Sequence, residues 1–208
     1  MAGLVGEDGP THHGVFDIAY LRHIPNITFM APSTPAELKG MLDCALALDG
    51  PVVIRYPKGS TFTPPASSDA SIILGRGEIL KTGKDLAIIS IGSMADIACE
   101  VAKLLLKKKV DAAVVNARFI KPLDERLLID ICRDTPRIVT IEDGVIEGGF
   151  GSAILEFMER EGLRGIKVRR FGLPCRFIEH GKRSELFAKY NLTPEAIYDV
   201  IMREVVNE

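Results

Sequence analysis

The densest run of residue types able to do chemistry is Gly6-Glu7-Asp8-Gly9-Pro10-Thr11-His12-His13-Gly14. The residue before a proline is pushed toward extended backbone, so Gly9-Pro10 forbids a continuous helix and puts Asp8 and His12 on a tight loop. A carboxylate there can hold a polar ligand or orient an imidazole, and histidine is the side chain whose proton affinity suits transfer near neutrality. A plain polar turn is the competing reading, since polar turns are common and loops also carry function. Adjacent His12 and His13 project in different directions, which argues against one metal ion held by both. Neither nucleophile-elbow (G-x-S-x-G) nor H-E-x-x-H spacing occurs.

Arg55 closes the VVIR run and is the second candidate. Strand ends of an α/β sheet face the ligand crevice, and a guanidinium grips phosphate or carboxylate with two parallel hydrogen bonds. Its bland reading is a surface arginine paired with a neighbouring acid. Gly148-Gly149-Phe150-Gly151-Ser152 leads from a strand into a helix and could cradle a phosphate, but it is neither a Walker A loop nor a full G-x-G-x-x-G. A tight strand-to-helix turn explains those glycines as well. Residues 164–183 hold seven Lys/Arg and one Glu with only Phe171 and Phe177 as aromatics, which suits a solvated face or subunit contact better than a nucleic-acid surface.

These candidates must be positioned by regular elements. Leu86 to Gly92 is a continuous apolar run of strand length, the pattern of a strand buried on both faces, and Val110 to Ala117 reads as a strand. Ile138 to Ile141 and Ile166 to Phe171 add two more, and Gly75 to Lys81 an edge strand. Between them, Ser93 with Asp96 resembles a capping box before a helix whose Ile97, Val101, Leu104 and Leu105 share one face. Leu127 to Cys132, Gly151 to Arg160 and a last helix opened by Thr193-Pro194 complete the alternation. Strand–helix alternation predicts an α/β fold with a mainly parallel, three-layer sheet. Upstream, Ile27–Met30, a helix from Thr34-Pro35 to about Leu48, and Pro51–Tyr56 give two strands and one helix. They cannot enclose a core and need something else to pack against. Lys58 to Ser71 has the composition of a linker, so the expected division is 1–57, a linker at 58–74, and 75–208.

Composition narrows the classes. The chain has 208 residues, 47% hydrophobic and 26% charged, with a net charge of −2. That balance offers no general attraction to nucleic acid or anionic lipid. No 18-residue apolar run occurs, and the first residues lack a signal-peptide pattern, so no membrane partner is expected. Cysteines 44, 99, 132 and 175 form no C-x-x-C pair and read as buried reduced thiols of a cytoplasmic protein.

Taken together, the motifs are no longer generic. DGPTHHG followed by FDIAYLRHIPN resembles the thiamine-diphosphate-dependent transketolase superfamily, and more narrowly its 1-deoxy-D-xylulose-5-phosphate synthase branch. APSTPAEL, GPVVIRYPKG, RFIKPLDE, EDGVIEGGFGSA and FGLPCRFIEHG extend the resemblance over essentially the whole chain. It implies an enzyme that condenses pyruvate with glyceraldehyde 3-phosphate, releasing carbon dioxide, in isoprenoid and thiamine biosynthesis. It also implies thiamine diphosphate, magnesium and a homodimer. Residues 1–57 would be the last part of a pyrimidine-binding domain and 75–208 a C-terminal domain. By this resemblance His12 is the active-site histidine, Asp8 the acceptor-substrate carboxylate, and Arg55 the phosphate ligand. His13 stands where many relatives carry Gln.

The GDG…N motif of the cofactor-binding domain is missing, as is the glutamate that activates the cofactor, and Met1 stands where relatives carry an arginine. The expectation is a C-terminal fragment with no cofactor or metal residues of its own, inactive alone and prone to self-association. Partners would be the missing N-terminal domains, on the same or a separate chain. The alternatives are half of a split transketolase, the β subunit of a 2-oxo-acid dehydrogenase decarboxylating component, and a non-catalytic oligomerisation or binding module.

Overall fold

The computed structural model describes residues 2–58 and 71–206, so most of the expected linker lies outside the described residues. In chain order the elements are α1 (Asp17–Leu21), β1 (Thr28–Met30), α2 (Pro35–Leu46), β2 (Val52–Ile54), β3 (Glu78–Lys81), β4 (Leu86–Ser90), α3 (Met94–Lys107), β5 (Ala112–Asn116), β6 (Phe119–Lys121), α4 (Glu125–Asp134), β7 (Arg137–Val145), α5 (Phe150–Arg160), β8 (Lys167–Leu173), α6 (Arg183–Lys189) and α7 (Pro194–Ile201). A short π-helical stretch, Met202–Val206, follows α7.

The main sheet has the order β3-β5-β4-β7-β8, parallel except for β3, which pairs antiparallel with β5 at the edge. Side chains of a strand alternate between faces, so an unbroken apolar run needs cover on both. Leu86 and Ile88 of β4 join a core with Met94, Ala98, Val101 and Leu105 of α3 and Ile197 and Ile201 of α7. Ala87 and Ile89 enter a second core with Leu128 and Ile131 of α4 and Phe150, Ile154 and Phe157 of α5. These two cores are the three-layer α/β arrangement that the alternation predicts.

The upstream strands find their cover in the rest of the chain. A second sheet, β2-β1-β6, pairs β1 parallel with β2 and antiparallel with β6. Phe29, Ala31 and Ile18 sit in the same core as α4 and α5. A buried polar latch adds to this. The Glu37 carboxylate, 1% exposed, accepts from Arg118 Nε at 2.6 Å, from Asn116 Nδ2 at 3.0 Å, and from the Ser33 backbone N–H and hydroxyl, each at 2.7 Å. A charge this deep is tolerated only when its lone pairs are filled. Asn116 and Arg118 flank the end of β5, so α2 is fixed to the carboxyl edge of the main sheet.

Helix starts agree with sequence at two places and differ at one. Thr34 Oγ1 accepts from the Glu37 N–H and Thr193 Oγ1 from the Ala196 N–H, each followed by Pro at the first helical position. Ser93 makes no side-chain cap on α3; its hydroxyl accepts from Arg183 Nη2 at 3.1 Å instead. The cysteines also differ from expectation: Cys132 is buried, Cys44 and Cys99 half-buried, and Cys175 exposed.

Candidate active site

Residues 3–14 form a loop closed at its base by an antiparallel Gly3–Gly14 bridge, with N···O distances of 3.1 and 2.9 Å. Inside it, Gly6–Asp8 make one 3-10 turn, and the N–H groups of Gly9, His12 and His13 turn back onto the carbonyls of Gly6 and Gly9. The loop lies over the carboxyl end of β7. A Cβ on Gly3 would fall 2.1 Å from Asp143 Oδ2, and Gly3 has φ +59°, so only glycine fits at that contact.

Asp8, Thr11 and His12 are exposed on this loop. Lys58 Nζ lies 2.6 Å from Asp8 Oδ2. That hydrogen bond holds the Asp8 carboxyl below the usual range, and the charge of Lys58 acts in the same direction. His12 Nδ1 is 3.0 Å from Thr11 Oγ1, which leaves Nε2 without a described hydrogen-bond partner and able to meet a ligand. The arrangement is therefore an anion, a cation and an imidazole on one exposed surface. An exposed ion pair contributes little, so a ligand bearing both hydroxyls and an anionic group can replace it at little cost. Lys58 was not singled out in the sequence because it stands at the first position of the linker-like stretch; the signal was its place one residue after the proline of IRYPKG.

Arg55 is not among these exposed groups but lies at the base of the loop. It is 5% exposed, and its donors point inward: Nε to Asp17 Oδ1 at 2.8 Å, Nη1 to Asp143 Oδ1 at 2.5 Å, and Nη2 to the Gly14 carbonyl at 3.1 Å. Burial alone would ease loss of its proton, but Asp143 and Asp17 outweigh burial and raise its pKa. Burial pushes Asp17 up, against the pull of Arg55. Asp143 is 1% exposed and holds more than Arg55. Its Oδ2 lies 3.5 Å from Ser93 Oγ and 3.9 Å from Arg183 Nη2, and the Arg183 guanidinium stacks 4.5 Å from the Phe187 ring centroid. Asp143, Asp17, Ser93 and Arg183 form the floor under the loop; no local pattern in the sequence links any of them to it, and Ser93 reads locally as a helix cap.

The glycine-rich turn before α5 holds no external phosphate. Its donors are taken by Glu142, whose Oε2 accepts from the Phe150 N–H at 2.8 Å and Oε1 from the Gly151 N–H at 2.9 Å. A Cβ on Gly149 would fall 2.3 Å from Glu142 Oε2, so this glycine makes room for a buried carboxylate. Burial pushes Glu142 up to about 7 against the two backbone donors and Arg55. The folded state thus binds this proton more tightly than the unfolded chain, for which the ordinary value is 4.5. The resulting stabilisation is complete below the unfolded value and is lost as pH rises through the folded one. Wild type is expected to lose about 2–3 kcal/mol relative to Glu142→Gln between pH 5 and 8, read as the difference between their urea midpoints across that range. A flat difference profile would contradict the assignment.

Two family models match the chain: "Transketolase, pyrimidine binding domain" over residues 1–63 and "Transketolase, C-terminal domain" over residues 75–197. The 1-deoxy-D-xylulose-5-phosphate synthase 1 of Geobacter metallireducens is 48% identical over 197 residues, covering 94% of this chain and 32% of that protein. The 1-deoxy-D-xylulose-5-phosphate synthase of Heliobacterium modesticaldum is 50% identical over 192 residues, covering 92% of this chain and 30% of that one. The chain thus spans about a third of the length of these relatives. A solved structure titled "Split gene transketolase, inactive beta4 tetramer" superposes with a TM-score of 0.85 at 30% identity, covering 95% of this chain and 64% of that one. A Pichia stipitis transketolase, 24% identical with a TM-score of 0.77 over 97% of this chain and 28% of that one, shares the fold. The resemblance read from DGPTHHG and the blocks after it is borne out, and with its C-terminal-domain match covering more than half of its length, the chain belongs to the transketolase family.

Proposed function

We propose that this chain is the substrate-facing C-terminal part of an enzyme that condenses pyruvate with glyceraldehyde 3-phosphate, giving 1-deoxy-D-xylulose 5-phosphate and carbon dioxide in the cytoplasm. The observation that supports it most is the exposed Asp8–Lys58–His12 group, carried by a chain whose curated relatives at 48% and 50% identity bear that enzyme's name. In this reading residues 1–57 end the pyrimidine-binding part and 75–208 are the C-terminal domain.

Each exposed group has one task. Lys58 Nζ, already on a carboxylate, meets the phosphate of the three-carbon substrate as a point charge. Asp8 accepts from that substrate's hydroxyl. His12 Nε2 gives or takes a proton at the oxygen that becomes a hydroxyl as the carbon–carbon bond forms. Arg55, bound to the Gly14 carbonyl at the loop base, is the second candidate for that phosphate.

The described residues do not fit a magnesium–diphosphate site. Among them no group of three or more His, Cys, Asp or Glu is arranged to hold a metal ion, and the one glycine-rich helix start is filled by Glu142. We therefore place thiamine diphosphate and magnesium on segments that the longer relatives carry. The exposed Leu46, Tyr20 and Tyr56, at 79%, 61% and 50%, are apolar surface that such segments or a second copy would cover. Among the described residues no helix is long and apolar enough to cross a membrane.

The test is carbon dioxide release from pyruvate that depends on glyceraldehyde 3-phosphate, with the chain joined to those segments. Lys58→Ala is expected to raise KM for glyceraldehyde 3-phosphate about tenfold with a smaller change in kcat, as loss of one charge-assisted bond requires. Lys58→Arg should recover most of it. An unchanged KM in Lys58→Ala would remove Lys58 from the site.

A further inference from the structure

His13 is the part of the loop that the proposed chemistry leaves unused, and its two ring nitrogens are both engaged. Nδ1 lies 3.1 Å from the Val5 backbone nitrogen, and Nε2 lies 3.1 Å from the Glu179 carbonyl oxygen. A backbone N–H can only donate and a carbonyl oxygen can only accept. The ring must therefore be neutral, with its proton on Nε2 and a lone pair on Nδ1. Through that one tautomer it makes a bond within the loop, across eight residues, and a bond to the 174–182 segment, 166 residues away.

We propose that His13 is a positioning residue: as the Nε2–H tautomer it ties the loop that carries Asp8 and His12 to the segment before α6, and so fixes the outward aim of His12. Three observations converge on this. The His12 and His13 N–H groups share the Gly9 carbonyl, at 3.1 and 3.2 Å, so the aim of one side chain is linked to the anchoring of the next. The only other hydrogen bond described between these two segments is the long Gly181 N–H to Gly6 carbonyl contact at 3.3 Å, which is weak next to a ring with two partners. The far segment is itself anchored, since the Glu179 carboxylate is bound by Lys189 and, at 2.7 Å, by the Tyr190 hydroxyl. His13 thus connects the loop to a fixed point. Glutamine carries one acceptor and one donor at the end of a similar side chain and can fill both places.

The structural half of this proposal stands alone; its consequence for turnover rests on the proposed function. The direct readout is NMR of the nitrogen-15-labelled chain, where a scalar coupling between the Val5 amide nitrogen and His13 Nδ1 is expected. Amide exchange of Val5 and Gly181 should be about 5–20-fold faster in His13→Leu and within about threefold of wild type in His13→Gln, the range for one or two lost hydrogen bonds. In the protein joined to its remaining segments, His13→Leu should lower kcat/KM about tenfold and His13→Gln should restore it. Absence of the coupling in wild type, or a His13→Gln variant as impaired as His13→Leu, would overturn the proposal. Coupling and exchange as expected in a protein that never turns over pyruvate with glyceraldehyde 3-phosphate would leave His13 as the anchor and remove the proposed function.

Discussion

Replacing Asp143 by alanine is expected to lower the stability of the chain by about 3–5 kcal/mol, with a fall in urea midpoint and little change in slope. Arg55 explains the size. Its side chain is 3% exposed, and Asp143 at 2.5 Å is one of two carboxylates that compensate its charge. Removing one partner of a buried pair strands the other in a medium that solvates it poorly, and that penalty exceeds the net worth of the pair. Asp17 at 2.8 Å remains and keeps the loss from growing further. The double variant Arg55→Met with Asp143→Leu separates the causes. If the cost is a stranded charge, the double variant should lose less than the sum of its own single variants, Arg55→Met and Asp143→Leu, while Asp17, left without Arg55, keeps it below wild type. A loss below about 1 kcal/mol in Asp143→Ala would mean that the floor of the site is far more hydrated than its burial implies.

That floor shows where sequence was informative and where it was not. Apolar runs such as LAIIS announce a strand covered on both faces, because the signal is local and each residue carries it. Thr34 and Thr193 announce helix starts for the same reason: the donor they satisfy lies three residues away. Ser93 has the same local appearance, but its hydroxyl is drawn to Arg183, 90 residues along the chain. Nothing near Ser93 encodes that. Arg55 was placed correctly at a strand end, yet position along a strand says nothing about partners 38 and 88 residues away that turn the guanidinium inward. The short strand β6 escaped notice because it follows closely on β5 and pairs with β1, far upstream in the chain. The loop itself was legible: Gly9-Pro10 marks its turn, and Asp8 and His12 lie exposed on it.

Removing His12 in the protein joined to its remaining segments tests most directly its proposed action on substrate. A proton transferred in the transition state by a placed side chain contributes roughly 10²–10⁴ in rate. His12 is exposed, and the one hydrogen bond described for its ring is to its own neighbour Thr11, so its loss should leave the fold intact. The variants to compare are His12→Ala and His12→Asn at saturating pyruvate, with glyceraldehyde 3-phosphate varied and urea midpoints measured alongside. Unchanged midpoints and a fall in kcat/KM of about 10²-fold or more are expected in both variants, carried mainly by kcat. Turnover within a few-fold of wild type would contradict that proposed action and leave the DGPTHHG loop a structural element.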